Sequence, residues 1–326
     1  MGTKVAVIGA GLAGLVCASR LAEADFIVKV YEKARSSGGR MSTRRAEGFQ
    51  FDHGAQYFTC RDERFANFVQ QMLTLGIVAK WEARICSYED GLLNELSDSV
   101  TRYVGVPSMS AVTRYLANNC NVAYDVKVER IEREADEWLL FDSQGQLLDS
   151  HPFLVIAIPA PQASSLLANL PQLAAKIAQA EMLPCWAVML GFHKRLELHF
   201  DGLFINSTKL AWVARDSSKY GRSGETWVLH AESNWSNEHI DLEPAAVIAV
   251  LCEEFCKITG LEQLDAAYKA AHRWRYALPT RPLKELAIFC PNYGIGLCGD
   301  YFLGGRVEGA FLSGLDLAQR MINELS

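Results

Sequence analysis

Three elements in immediate succession near the amino terminus restrict this chain to few folds. Val5 to Ile8 is apolar and rich in β-branched residues, so it reads as a buried parallel strand. Gly9, Gly11 and Gly14 follow at G-x-G-x-x-G spacing, and Leu12 to Ala24 continues as an apolar, alanine-rich helix. Ile27 to Tyr31 reads as a second strand, with Glu32 at its end, about 20 residues beyond the glycine fingerprint. Strand before, helix after and an acidic residue at that distance turn a weak motif into a specific one.

Each position has a physical role in holding a dinucleotide. Gly9 permits the tight strand-to-helix turn, Gly11 lets a pyrophosphate approach the backbone, and Gly14 lets the helix pack closely on the strand. The free N–H groups of Leu12 and Ala13, at the positive end of the helix, face the phosphates. Glu32, followed by Lys33, is placed to accept hydrogen bonds from the hydroxyls of an adenosine ribose, and an acidic residue there disfavours a 2′-phosphate.

Ser37-Gly38-Gly39-Arg40-Met41-Ser42-Thr43-Arg44 then offers a second close backbone approach to the same pyrophosphate, with a guanidinium for charge. This segment resembles the second motif of the flavin-containing amine oxidase superfamily, matching at Gly38, Gly39, Arg40 and Thr43. Phe51-Asp52-His53-Gly54-Ala55 resembles the F-D-x-G-A segment of that superfamily. The resemblance implies FAD rather than NAD as the bound dinucleotide, with Met41, Gly54, Ala55 and Gln56 beside it.

Composition sets wider bounds. At 326 residues the chain is long enough for about two domains, and half of it is hydrophobic, ample for a sizeable core. A net charge of −6 argues against an electrostatic grip on nucleic acid or anionic membrane. Nine cysteines without C-x-x-C or Cys/His ligand spacing fit a reducing cytoplasm and no metal site; Cys252 and Cys256, one helical turn apart, read as packed thiols. Lys4 and the apolar run after it imitate a secretory signal, yet that run holds the fingerprint and Arg20, and cleavage would destroy the nucleotide site. No stretch reaches about 18 uncharged apolar residues, so no membrane span is expected.

Further along, Phe65, Phe68, Val69, Met72 and Leu73 mark an amphipathic helix within 61–80, and 81–103 alternates like a small antiparallel sheet. A helix is expected to about Asn118, capped by Ser108 or Ser110. Asn121 to Val128 reads as a strand; in the superfamily such a strand lends backbone to the adenine, a contact that falls at Val128, with Val126 as second choice. Ile131 to Leu140 and Gln146 to His151 read as strands around a turn at Ser143-Gln144-Gly145. Phe153 to Ile158 is a buried strand before Pro159-Ala160-Pro161, which resembles the A-x-P turn where such chains leave the nucleotide domain. Beyond it, strands are expected at 188–192, 203–205, 211–214 and 226–231, a helix at Pro244 to Thr259, and a helix running into strand over Asp265 to Trp274. The fold class is α/β: a Rossmann-like FAD-binding domain with a parallel sheet (1–60, about 104–160 and 286–326), interleaved with an α+β substrate domain carrying a mixed sheet (about 61–103 and 161–285).

Ile295 to Cys298 is a last strand, followed by Gly299-Asp300 and by Gly304-Gly305-Arg306-Val307-Glu308-Gly309-Ala310 at a helix start. This pattern resembles the carboxy-terminal flavin motif of the superfamily. The resemblance places Asp300 on the ribityl or pyrophosphate region, the N–H groups near Val307 and Glu308 at the pyrimidine edge of the isoalloxazine, and Ala310 beside them. In motif spacing, in Asp52-His53-Gly54-Ala55-Gln56-Tyr57-Phe58 and in Arg273-Trp274-Arg275-Tyr276-Ala277 the chain is similar to the renalase group, particularly its bacterial members.

Two departures from the amine oxidases matter. There is no Ser-Gly-Gly-Cys-Tyr segment for covalent flavin attachment, so FAD is expected to be non-covalent; Cys298 reads as a strand residue. No clear aromatic pair stands near the carboxy-terminal motif, where Tyr293 and Tyr301 are the only aromatic candidates. The resemblance to the renalase group implies oxidation of 2- or 6-dihydronicotinamide dinucleotides, with dioxygen as acceptor and hydrogen peroxide as product. The candidate pocket residues are Tyr57, His230, Trp274 and Arg275, with Trp212 and Asn234 weaker, and none reads as a general base. The rival readings are an amine oxidase or desaturase-like dehydrogenase, and a non-enzymatic binding protein of the GDP-dissociation-inhibitor type.

Overall fold

A computed structural model describes residues 2–97 and 99–325. Its first sheet has six strands, in the spatial order Ile288–Cys290, Ile295–Leu297, Phe153–Ile156, Lys4–Ile8, Ile27–Tyr31, Asn121–Ala123. All neighbours are parallel except the Ile288–Cys290 edge. The strand that opens the chain is central because it is buried on both faces: Val5 and Val7 point to one core, Ala6 and Ile8 to the other. On the first face lie helices Leu12–Glu23 and Val307–Leu325. They cross so closely that a Cβ on Gly314 would sit 2.2 Å from the Ala13 carbonyl. Phe65, Val69 and Met72 of helix Glu63–Thr74 complete that core. A three-stranded antiparallel sheet and two short helices cover the other face.

The second sheet has seven strands, in the order Tyr268–Arg281, Glu181–Phe192, Glu225–Ala231, Leu210–Arg215, Gly202–Ile205, Ile85–Glu89, Leu92–Glu95. It is antiparallel apart from one parallel pair, Gly202–Ile205 with Ile85–Glu89. Side-chain alternation divides its faces. Val188, Leu190, Val213 and Leu229 pack under helix Pro244–Thr259 through Val247, Leu251 and Phe255. The residues between them face the other way, where Met189 and Val228 pack against Phe51. Among the described residues no helix is long and apolar enough to cross a membrane.

Several expectations need correction. The strand at Asn121 stops at Ala123, because Asp125 turns with φ +57° and the Val126 N–H bonds back to the Glu32 carbonyl. Ile131 to Leu140 is a hairpin, Arg130–Glu134 with Glu137–Phe141, turning at Ala135 with φ +50°. Neither Ser108 nor Ser110 caps helix Ser110–Ala117: Asp52 Oδ1 accepts from Met109 N at 3.0 Å, and the Ser108 and Ser110 hydroxyls pair with each other. Tyr268–Arg281 is strand throughout, and Cys298 falls just past the end of its strand.

Candidate functional site

A cavity of about 1350 Å³ lies between the carboxyl ends of the parallel strands and the open face of the second sheet. A site for one small molecule typically has roughly 300–1,000 Å³, so this one has room for a dinucleotide and a second ligand. In open α/β sheets, ligands bind in the crevice at that end of the strands.

Gly9, Gly11, Leu12 and Ala13 line the cavity. Gly9 has φ +109°, and its N–H donates to the Tyr31 carbonyl at 2.8 Å. A Cβ on Gly11 would meet no protein atom within 4 Å, so that backbone is bare on the cavity side. Gly14 is not on the wall; a Cβ there would lie 2.1 Å from the Gly9 carbonyl, so its role is helix-to-strand packing. Glu32 accepts from Ala10 N and Ala34 N, both at 2.8 Å, which sets its carboxylate at the cavity edge beside Lys33. Val126 and Val128 are both on the wall, in a loop rather than the expected strand.

The two ends of the chain meet at Arg40 and Asp300. The guanidinium donates to both carboxylate oxygens, at 2.7 and 2.5 Å, and to the Ala277 carbonyl at 2.9 Å. Both line the cavity, and there they neutralise one another. A lone carboxylate next to a pyrophosphate would repel it, and Arg40 removes that repulsion. Gly38, Gly39, Met41 and Gly299 line the cavity around the pair. Val307 and Ala310 line it where the last helix begins, but Glu308 does not. Its buried carboxylate turns away and accepts from Arg61 N and Asp62 N at 2.6 and 2.8 Å, latching one helix start to another.

Gly54, Ala55 and Gln56 are on the wall because their turn sits directly on the Arg40 turn. Ala55 N donates to the Arg40 carbonyl at 2.8 Å, and a Cβ on Gly54 would lie 2.0 Å from that same oxygen. Behind this turn is a buried charge network that the sequence reading missed. Asp52, fully buried, meets Arg222 at 2.5 Å and Lys219 at 3.5 Å, and accepts from Thr43 at 2.6 Å. Lys219 also meets Asp216 at 2.5 Å and donates to Gln56 Oε1 at 3.1 Å. Burial opposes charge on Asp52, but Lys219 and Arg222 outweigh it and hold its carboxyl below the ordinary range. For Asp216 burial prevails and the carboxyl is raised. Asp216, Lys219 and Arg222 are close in sequence, but Asp52 lies 164 residues before Asp216, so no local spacing could have disclosed their pairing.

The opposite wall is a transverse row of the second sheet. Phe204 stands opposite Trp212, Trp212 opposite His230, His230 opposite Ala187, and Ala187 opposite His272. Phe204, Trp212, His230 and His272 all line the cavity. Tyr57 joins them with its ring 5.5 Å from Trp212 and 5.9 Å from Trp81. The His53 carbonyl accepts from Trp274 Nε1 at 2.9 Å and pairs with His230 Nε2 at 3.1 Å, which fastens this wall to the Gly54 turn. Arg275 is exposed at the cavity edge, while Asn234 bonds to Glu232 and is not on the wall. Of the two tyrosines near the last motif, Tyr301 lines the cavity and Tyr293 does not. Strict alternation would have put Trp212 and His230 on inward faces, but only strand register could show them side by side.

The imidazoles here are neutral. Burial, with the neighbouring His272 and His230, lowers His53 to about 3; burial lowers His230 to about 4 and also lowers His272. In the unfolded chain each would titrate near 6.5. Between about 6.5 and 4 the unfolded chain therefore binds more protons, so stability is full above that window and falls as pH drops through it. A lower melting temperature near pH 5 than near pH 7 is expected, and His230→Gln should shrink the difference. A melting temperature flat over that range in the wild type would contradict neutral burial.

Residues 7–72 match a NAD(P)-binding Rossmann-like domain, and residues 82–322 match the flavin containing amine oxidoreductase family. The chain belongs to that family. FAD is accordingly its cofactor, as the first and last motifs implied. Solved structures agree with this family's fold. One is a protein from Exiguobacterium sp. 255-15 provisionally named a protoporphyrinogen oxidase, with TM-score 0.81, 13% identity and 99% of each chain covered. Another is the cyclohexylamine oxidase of Brevibacterium oxydans IH-35A, with TM-score 0.78, 14% identity and both chains fully covered. A 4,4'-diapophytoene desaturase of Staphylococcus aureus (strain Newman) is 47% identical over 51 residues, 16% of this chain and only 10% of the desaturase.

The residues present fit FAD. The bare backbone at Gly11 leaves room for the pyrophosphate, and the Tyr301 hydroxyl, buried on a cavity-lining residue, has no partner among the described residues. Unpaired buried polar atoms are uncommon in folded proteins and here point to a polar ligand.

Proposed function

We propose that this flavoprotein is a renalase-like oxidase that removes a hydride from a flat, uncharged ring, the dihydronicotinamide of 2- or 6-dihydroNAD(P), with dioxygen as final acceptor and hydrogen peroxide as product. Bound FAD supplies the two-electron acceptor. The observation that carries the reading is the row Phe204, Trp212, His230 and His272, a wall of uncharged rings facing the glycine-rich lip across the cavity.

Such a wall orients a planar ring face to face with a second planar ring, and orientation is the main acceleration this reaction needs. Loss of hydride from a dihydronicotinamide leaves an aromatic pyridinium, with no proton to be removed. The poor basicity of His53 and His230 suits that chemistry. In this reading Tyr57 and Trp274 flank the ring, His230 meets its polar substituent, and Arg275 stands at the entrance. Gly9, Gly11, Gly38, Gly39, Gly299 and the amides near Val307 hold the cofactor.

An amine substrate is the second reading, favoured by the family and by the carboxylates of Asp241 and Glu243 at the cavity edge, which would attract an ammonium. Such a substrate must lose a proton before oxidation, and the low-pKa imidazoles are weak acceptors for it. Anaerobic mixing separates the two. With millimolar 2- or 6-dihydroNAD(P) the flavin absorption band should bleach; no bleaching there, with peroxide released from an amine panel, would establish the second reading instead.

A further inference from the structure

A second concentration of charge lies outside the cavity, at the turn that leads into helix Ser110–Ala117. The hairpin of Arg44–Ala46 with Phe49–Phe51 sits against this turn, and Gln50 Nε2 donates to the Pro107 carbonyl at 2.7 Å. Arg45 stands opposite Gln50 in the hairpin, and its guanidinium donates to Ser108 Oγ at 3.2 Å. Arg114, one turn into the helix, donates to the same oxygen, also at 3.2 Å. Ser108 Oγ is further paired with Ser110 Oγ at 3.0 Å. A hydroxyl has two lone pairs and one hydrogen. The arginines take both lone pairs, so the hydrogen goes to Ser110 and the Ser108 oxygen is saturated. Two full positive charges thus converge on one neutral atom, and like charges so placed repel. Burial and the neighbouring Arg45 both lower the Arg114 guanidinium from its ordinary range, and Asp52 offsets them only in part. The Asp52 oxygens are already taken by Thr43, Met109 N, Arg222 and Lys219. Among the described residues neither Arg45 nor Arg114 has a carboxylate partner, and the Nε and Nη1 atoms of both make no hydrogen bond. Those atoms are open to solvent: Arg45 is exposed, and Arg114 has no enclosed unpaired nitrogen.

We propose that Arg45 and Arg114 form a binding site for a tetrahedral oxyanion of the phosphate class, with Ser108 holding the two guanidiniums together. None of the three residues lines the cavity, so the site is distinct from that of the flavin and its substrate, and the inference is independent of the substrate reading. Two planar forks supply the several charge-assisted donors that a phosphate accepts, and the anion cancels the repulsion between them. The site also adjoins the buried network: Met109, next in the chain to Ser108, donates its N–H to Asp52. A bound anion therefore braces the turn that Asp52 supports.

The test is calorimetric titration of the FAD-loaded protein with inorganic phosphate at fixed ionic strength, so that the cofactor's own phosphate site is already filled. Saturable binding of one phosphate per chain is expected. Arg45→Gln and Arg114→Gln should each weaken it about tenfold or more, the fold-change of one charge-assisted hydrogen bond. Arg45 is exposed, so Arg45→Gln is expected to fold normally and keeps the test decisive if Arg114→Gln does not. Phosphate should also raise the melting temperature of the wild type and not that of Arg45→Gln, whereas general exclusion of the salt from the protein surface would raise both equally. Glycerol 1-phosphate, titrated in parallel, tells a free ion from an ester end group, and binding of either one supports the site. No saturable binding of either by the wild type at millimolar concentration would overturn the inference. Equal phosphate affinity in the wild type and Arg45→Gln would overturn it too, and the arginines would then only brace Ser108.

Discussion

Gly11→Val is expected to abolish FAD retention while leaving the chain folded. Gly11 is extended, with φ −77° and ψ 177°, a conformation that valine adopts readily. Its Cβ would touch no protein atom within 4 Å, so the side chain starts without resistance from the fold and on the cavity side. It would occupy the approach of the pyrophosphate to the helix N–H groups, the interaction that makes this turn an anion site. An increase in the FAD dissociation constant of about 100-fold or more, equivalent to about 3 kcal/mol, is expected. Flavin per chain after gel filtration, with circular dichroism as the control for folding, measures it. Full flavin occupancy in this variant would mean that the phosphates lie elsewhere.

Asp52→Ala is expected to be the most destabilising single substitution near the site, for a different reason. It removes the acceptor that Arg222, Lys219, Thr43 and Met109 N share, and leaves two buried cations facing Asp216 alone. Breaking a buried ion pair by deleting one partner typically costs about 3–5 kcal/mol. The loss should appear as a lower urea midpoint with an unchanged slope. Asp62→Ala, which removes an exposed cap at the start of helix Glu63–Thr74, should cost roughly 0.5–2 kcal/mol by comparison. If the two variants were equally stable, the buried network would have no special role in joining the Gly54 turn to the second sheet.

What the chain disclosed in advance follows a physical division. The fingerprint helix, the second strand and helix Pro244–Thr259 are written in local periodicity and breakers, and they stand where their residues say. The hairpin at Ala135 was hidden because its turn uses no glycine or proline, only a non-glycine residue at positive φ. Tyr268–Arg281 begins with lysine and alanines of good helical propensity, yet it pairs along its length with Glu181–Phe192, and tertiary pairing overrides propensity. Of the cavity, the glycine-rich lip was legible because glycines leave backbone bare of side chains. The opposite wall was legible only residue by residue: Tyr57, Trp212, His230 and Trp274 could be named, but not that a strand register aligns two of them. Arg40 and Asp300 were each assigned to the cofactor, and only their position in space showed that they bind one another.

One measurement bears most directly on the convergence of both ends of the chain on a single flavin: titration of the apoprotein with FAD, followed by the shift of the visible flavin band. Saturation at one FAD per chain, lost in Gly11→Val and weakened in Arg40→Ala, is the expected result. A folded apoprotein that takes up no FAD, or one whose affinity is indifferent to both substitutions, would contradict it.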